Sequence, residues 1–177
     1  NNKPDLIWNP IAETVLVGSK IIAYSVAPND MAAIIDSFAA LQNLKKLIKK
    51  SSQKIDILPS APIHTRGDQI EIEVSAIHNR HMLIFNMAGD GTIQMIYPLG
   101  SDDRKLKKTD YYLQLQVREP FGCDQIVAVS WDKSLDPLIS EIAKLNGRKM
   151  APRAVEILER YAKSGLRIGT AALVTKP

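Results

Sequence analysis

Residues 80–98 read RHMLIFNMAGDGTIQMIYP, and they contain the clearest structural pattern in the chain. Two apolar segments, 82–87 and 92–97, flank a turn with the sequence Gly-Asp-Gly. Glycine adopts the positive backbone angles of tight hairpin turns without a steric penalty. The stretch therefore predicts a β-hairpin of two antiparallel strands whose turn lies at 88–91.

A two-residue period marks further strands outside this hairpin. Apolar residues alternate with polar ones along 70–76 and along 112–118, as in strands that bury one face. The remaining segments interpreted as strands are 21–26, 54–58, 125–131 and 166–175.

A period of three to four residues predicts three helices. The first lies near 30–50, with Asp30 as its N-cap. Its predicted apolar face consists of Ile34, Ile35, Phe38, Leu41, Leu44 and Ile48. Two short C-terminal helices are predicted near 134–147 and 152–165, each ended by a glycine. Because strands and helices fall into separate blocks, we expect an α+β fold with a mostly antiparallel β-sheet, as a sandwich or half-barrel.

Chain length and loop composition suggest how this fold is divided. A chain of 177 residues suits one domain or two small ones, and the loop at 59–68 holds two prolines and a glycine. We expect an N-terminal α/β extension at 1–60 that packs on the sheet. A β-rich domain at 69–177 would carry the two C-terminal helices, and one continuous domain is the alternative.

Composition excludes several classes of protein. The chain is 45% hydrophobic and 24% charged, which is typical of a globular domain and not of a disordered or fibrous chain. A net charge of +4 is too small to indicate a nucleic-acid or membrane binder by itself, and no apolar run is long enough for a membrane span. The chain starts at Asn1 without a methionine, so we expect a fragment or processed product of a longer chain. An exported or periplasmic location and a cytoplasmic bacterial one both stay open, as does the oligomeric state.

The single cysteine raises the question of nucleophilic catalysis. Cys123 together with His64, His78 and His81 supplies the residue types of a Cys-His hydrolase. However, Cys123 lies at the start of a predicted strand and not at a helix N-terminus, which would lower its pKa. We interpret it as a half-buried core thiol, and the hydrolase is the second alternative function. No catalytic or cofactor-binding residue is expected. No metal-binding residue is expected either, because the turn at 78–81 places a positively charged arginine between its two histidines.

Unusual residues at the strand ends form a candidate binding surface. Proline at a strand end stops the hydrogen-bond ladder, and glycine permits a close approach of backbone or ligand. The members are Asn86, Asp90, Gly91, Tyr97, Pro98, Pro120, Phe121 and Gly122. Corner residues of the sheet, without a binding role, are the alternative interpretation.

Two basic clusters are candidate polyanion contacts. They consist of Lys45, Lys46, Lys49, Lys50, Arg104, Lys105, Lys107 and Lys108. Neither cluster is interleaved with the aromatic residues that stack bases, so solvated surface is favoured over nucleic-acid binding. A polyanion-binding module is the first alternative function.

The hairpin at 80–98 and the segment PFGCDQIVAV at 120–129 together resemble a family of bacterial domains of unknown function. Members carry a hairpin with the pattern Tyr or His, apolar run, Phe/Leu-Asn, Asp-Gly, apolar run, Phe/Tyr-Pro. A later Pro-Phe-Gly-x-Asp/Glu segment enters another strand. The likeness covers about 69–131, and the segments 23–45 and 167–170 also resemble the version found behind caspase-like domains.

This resemblance implies a non-catalytic accessory module. The family's domains follow caspase-like (clan CD, metacaspase-like) cysteine peptidase domains, or accompany kinases and exported bacterial proteins. The family has no assigned catalytic residues, and its members commonly have a small residue or Thr where Cys123 stands. The implied role is recruitment of a protein partner or substrate, or regulation of the peptidase, whose catalytic pair would lie in an upstream domain.

Overall fold

The computed structural model describes residues 6–48, 52–100, 105–162 and 166–177. The strands are β1 (Leu6–Asn9), β2 (Thr14–Val17), β3 (Lys20–Ala23), β4 (Ile55–Leu58), β5 (His64–Thr65), β6 (Gln69–Val74), β7 (Arg80–Met87), β8 (Ile93–Tyr97), β9 (Lys105–Leu106), β10 (Tyr111–Gln116), β11 (Cys123–Trp131) and β12 (Arg167–Lys176). The helices are α1 (Met31–Ile48), α2 (Asp136–Ala143) and α3 (Ala151–Ala162), and a 3-10 turn (Pro28–Asp30) precedes α1.

These strands form three sheets. The central sheet has the order β5-β12-β11-β7-β8, with β9 also paired to β7. The small sheet has the order β10-β6-β4, and the N-terminal sheet has the order β1-β2-β3. Every pairing between these strands is antiparallel except that of β12 with β5. The predicted α+β class, with its mostly antiparallel sheet, long N-terminal helix and two short C-terminal helices, is confirmed.

The central sheet is covered on both faces. On one face, Leu83 and Phe85 of β7 pack in a core that includes buried residues of all three helices. On the other face, Met82 and Ile84 pack against Ile72 of the small sheet. A strand buried on both sides needs apolar side chains at successive positions, which explains the uninterrupted apolar run in β7.

The predicted hairpin is confirmed and its turn is tight. The amide of Ala88 donates to the carbonyl of Thr92 over 2.9 Å, and Gly91 has a φ of +89°. Gly91 also faces α1, where an added Cβ would lie 3.3 Å from the carbonyl oxygen of Ala33. The turn therefore needs glycine both for its backbone angle and for helix packing.

Two expectations for α1 are wrong. Ile35 is 49% exposed, whereas the small residues Ser37 and Ala40 are buried, because the buried face runs through residues 34, 37, 40 and 44. The Asp30 carboxylate does not cap the first turn of α1 as expected. It lies at the end of the 3-10 turn, accepts the Ala27 amide over 3.3 Å and pairs with Lys149 over 2.7 Å.

The N-terminal sheet was only partly predicted. Its strand β3 ends at Ala23 and not at 26, and Ser25, two residues further on, adopts a φ of +54°. Ala23 forms a β-bridge with Gly122, and an added Cβ at Gly122 would lie 2.2 Å from the carbonyl oxygen of Ile22. Glycine at 122 therefore allows the N-terminal sheet to touch the start of β11.

The N-terminal segment also contributes to the small sheet, since β4 pairs with β6 along its whole length. None of the described helices is both long and apolar enough to cross a membrane.

Candidate functional site: a cleft between the two sheets

A cleft of about 220 Å³ opens between the central sheet and the small sheet. Its floor is polar and carries Asn86 and Asp124, which are 5% and 4% exposed. Its walls are apolar and include Ile70, Ile96, Leu115, Ile126 and Leu173. Arg118 and Glu119 lie at the same cleft and are exposed to solvent.

Strand register brings the polar residues to one face. Asn86 of β7 lies opposite Gln94 of β8 on one side and Ile126 of β11 on the other. Asp124 precedes Ile126 by two residues, and alternate side chains of a strand point to the same face. Asn86, Gln94 and Asp124 therefore all face the space between the sheets.

Hydrogen bonds hold the floor together. The Asn86 Nδ2 donates to Asp124 Oδ2 over 3.0 Å and to Gln94 Oε1 over 2.9 Å. The Gly89 amide donates to Asp124 Oδ1 over 3.1 Å. The Asn86 Oδ1 is buried and has no hydrogen-bond partner among the described residues. Since most buried polar atoms are paired, this oxygen marks an acceptor that a ligand can use.

Burial raises the pKa of Asp124 from 3.8 to about 7. Removal of the carboxylate from water is the largest cause, and the nearby charge of Asp90 acts in the same direction. The hydrogen bonds from Asn86 and Gly89 lower the pKa and so offset part of this effect. Near neutral pH the carboxyl group consequently exists in both protonation states.

Of the eight residues predicted as a binding surface, Asn86 lines this cleft. Asp90 instead stabilises the hairpin turn, where its carboxylate accepts the amide and the hydroxyl of Thr92 over 2.9 and 3.0 Å. Gly91 packs against α1, as described above.

The other five predicted residues lie at corners of the sheets. Tyr97 is buried, and its ring centroid lies 4.9 Å from that of Tyr111. Pro98 and Pro120 both follow cis peptide bonds. The carbonyl of Phe121 accepts the Tyr24 amide over 3.2 Å, and Gly122 bridges to Ala23.

Asp124 and Gln94 belong to the site but were not predicted as site residues. Both are polar residues at positions where the two-residue period places a side chain between the sheets. A polar residue at such a position within an apolar strand is the signal that could have found them.

The structure separates Cys123 from His64. Cys123 pairs with Val174 on one side of β12, and His64 pairs with Thr175 on the other. Two strand spacings, about 10 Å, separate the two residues. Because their partners Val174 and Thr175 are adjacent on β12, the side chains of Cys123 and His64 point to opposite faces of the sheet. Burial also raises the pKa of the Cys123 thiol, which donates to the Ile21 carbonyl over 3.3 Å.

The other two histidines are more distant still. His81 pairs with Trp131 at the far end of β11, so about eight residues of strand, roughly 26 Å, lie between it and Cys123. The ring of His78 contacts the Lys107 carbonyl over 2.7 Å in the same region. Among the described residues, no three His, Cys, Asp or Glu side chains are grouped so that they could hold a metal ion.

The basic clusters lie on exposed parts of two separate elements. Lys45 and Lys46 are exposed near the end of α1, Lys105 is exposed in β9, and Lys107 and Lys108 are exposed in the turn after it. Lys49, Lys50 and Arg104 lie outside the described residues. Polyanion binding through these lysines stays a prediction.

Comparison of the chain with family models, with curated proteins and with solved structures finds no match.

Proposed function

We propose that this chain is a non-catalytic accessory module that binds a segment of a partner protein in the cleft between the central and small sheets. The resemblance to domains behind bacterial caspase-like peptidases supports an accessory role. In such a chain the module would recruit a partner or substrate, or regulate the peptidase.

One observation carries this proposal. The cleft has apolar walls and a floor whose buried acceptor, Asn86 Oδ1, is left without a partner by the described residues. Ligand sites are typically apolar concavities with a few polar groups that fix orientation. The described thiol, Cys123, does not line the cleft, donates to the Ile21 carbonyl and has a raised pKa, so the cleft is better suited to binding than to nucleophilic attack.

The proposal is tested by filling the cleft in the longer chain that the resemblance implies. Leu115→Trp places a large side chain at the wall, and Gln114→Trp places the same group on the exposed opposite face of β10. We expect the Leu115 variant to reproduce the effect of deleting the whole module on partner recovery or protein-substrate choice. Cleavage of a short peptide by the upstream domain should be unchanged, and the Gln114 variant should behave like the wild type.

A chain that loses none of these properties on deletion of the module would contradict the proposal. Melting temperatures of both tryptophan variants show whether each variant is folded under the conditions of the assay. If the Leu115 variant is unfolded, Ile96→Phe on the β8 wall provides a milder filling of the same space.

A further inference from the structure

The floor of the cleft carries more acceptors than donors. A carboxylate accepts about four hydrogen bonds, whereas each oxygen of Asp124 accepts one from the described residues. The Asn86 Oδ1 accepts none from them. A group that complements Asp124 and Asn86 Oδ1 must donate several hydrogen bonds, as an ammonium or a guanidinium does.

The lining and volume of the cleft indicate what the cationic group is attached to. Apolar walls suit an aliphatic stem, and lysine and arginine combine such a stem with a cationic end. A volume of about 220 Å³ lies below the range of roughly 300–1,000 Å³ that small-molecule sites occupy. The cleft is therefore sized for one side chain.

The basic residue at the cleft does not neutralise the floor. The Arg118 guanidinium donates to Gln116 Oε1 over 2.9 and 3.2 Å. Glu119 pairs with Arg66 over 2.7 Å, so this acidic residue already has a cationic partner. Asp124 keeps its acceptor capacity for a ligand from outside.

We infer that the cleft takes one lysine or arginine side chain of a partner protein, with its cationic end on Asp124 and Asn86 and its stem between the walls. This inference rests on the proposed function and names the chemistry that the module recognises. Gln94 lies beside Asn86 with a half-buried side chain, and we expect a shift of this side chain to admit the cation to the buried Asn86 Oδ1.

The test is a nuclear magnetic resonance titration of the isotope-labelled 177-residue chain. The probes are acetyl-Gly-Gly-X-Gly-Gly-amide peptides in which X is lysine, arginine or norleucine. Norleucine keeps an aliphatic stem and lacks the charge. We expect the Gly89 amide and the Asn86 side-chain amide to shift saturably with the lysine or arginine peptide, with a dissociation constant on the order of 1–10 mM.

Asp124→Asn is the matched variant. Its oxygen can still accept from Gly89, and its amide nitrogen can donate to Asn86 Oδ1 once the Asn86 amide rotates by half a turn, since Nδ2 now faces Asp124. The amide spectrum of the variant checks that the fold is retained. We expect this variant to bind the lysine and arginine peptides at least tenfold more weakly, because a charge-assisted contact is lost. The norleucine peptide should leave the two floor resonances unshifted in both proteins.

The peptide titration and the cleft-filling experiment together distinguish a cationic ligand from the more general proposal that the cleft binds a partner protein. Equal shifts with norleucine would overturn the cationic ligand while leaving the cleft as a binding site. An absence of shifts at Gly89 and Asn86 with either cationic peptide would also overturn the inference, whatever the cleft-filling experiment shows. Loss of partner recovery in the Leu115→Trp variant, without any preference for cations, would support the proposed function alone.

Discussion

Asn86 and Asp124 are 38 positions apart in sequence, yet the Nδ2 of one donates to the Oδ2 of the other over 3.0 Å at the floor of the cleft. This contact joins β7 to β11 and holds a carboxyl group that is 4% exposed. The pair combines a buried, titratable carboxyl group with an amide oxygen that has no hydrogen-bond partner among the described residues, and most of the expected behaviour of the site follows from it.

The ionisation of Asp124 should make stability depend on pH. Its pKa is about 7 in the folded protein, whereas the ordinary value for an aspartate is 3.8, so the folded state favours the protonated form. The contribution of Asp124 to the free energy of unfolding is fully present below about pH 4 and is lost as pH rises through 7. The loss amounts to about 4 kcal/mol at most. Urea unfolding of the wild type and of Asp124→Asn from about pH 4 to pH 8 measures this difference.

Relative to the wild type, the Asp124→Asn variant should gain stability as pH rises. Asp56→Asn on the exposed side of β4 is the control for removal of an acidic residue elsewhere. A free-energy difference between wild type and Asp124→Asn that does not change over this range would contradict the assignment.

Cation binding at the cleft should strengthen with pH, because only the ionised carboxylate attracts the ligand. With a pKa of about 7, the ionised fraction of Asp124 rises roughly thirtyfold between about pH 5.5 and pH 8. We expect a similar rise in affinity for the lysine pentapeptide. Within the part of the chain that the structure describes, the other charged groups that face it are Asp90 beside Asp124, and Arg118 and Glu119 at the cleft.

Glu119→Gln and Asp90→Asn separate their contributions from that of Asp124. Both variants should keep most of the pH dependence, and Asp124→Asn should abolish it. A pH profile that follows Glu119 instead would place the cation at the edge of the cleft.

Gly89→Ala should destabilise the protein through a single contact. The added Cβ would lie 1.9 Å from the carbonyl oxygen of Ile22, which belongs to the backbone of β3 and cannot rotate away. Overpacking of this kind costs about 1–3 kcal/mol, and the N-terminal sheet must shift to relieve it. Chemical unfolding gives the free energy, and faster proteolysis within 6–23 would locate the shift; unchanged stability would show that the approach of Ile22 is not close.

Lys149 should contribute a small, salt-sensitive stabilisation. Its Nζ lies 2.7 Å from Asp30 Oδ1 and 3.5 Å from Asp90 Oδ2, and so joins the start of α1 to the hairpin turn. These groups are partly exposed, and such pairs contribute about 0.2–1 kcal/mol. A double-mutant cycle of Lys149→Met with Asp30→Asn at low and high salt measures the coupling, and a coupling that salt leaves unchanged would contradict an electrostatic origin.

Cys123 should react slowly with electrophilic thiol reagents at neutral pH. Burial raises the pKa of its thiol, and the Sγ–H donates to the Ile21 carbonyl. Labelling of the folded chain is compared with labelling of the chain in denaturant, at equal reagent concentration. Rapid labelling of the folded protein, together with an activity lost in Cys123→Ser, would revive the Cys-His hydrolase alternative.

Much of the architecture could be predicted because its signals are local. The hairpin at 80–98 and the two C-terminal helices each show their period and their turn residues within a few positions. Short strands carry little periodic signal: β5 and β9, of two residues each, escaped prediction, and so did β1 and β2, although β3 and β4 have the same four-residue length and were predicted. The prediction that Ile35 lies on the buried face of α1 was wrong, because periodicity alone does not show which side of a helix packs against the sheet.

The candidate site was less predictable than the fold. Asn86 was proposed from its place at a strand end, but Asp90, Tyr97 and Gly122 were proposed on the same grounds and lie in turns, cores and backbone contacts. Strand ends serve several structural purposes, and sequence spacing does not distinguish among them.

Eight of the twelve described strands, the hairpin turn and the three helices could be predicted from the sequence, because side-chain alternation and backbone angles depend on neighbouring residues. The fold, and not the local sequence, brings Asn86, Gln94 and Asp124 into one cleft and separates Cys123 from His64, His78 and His81. These outcomes depend on the register between strands that are distant in sequence and on the packing of one sheet against another. A shift of one residue in that register would turn Asp124 to the opposite face and remove the site.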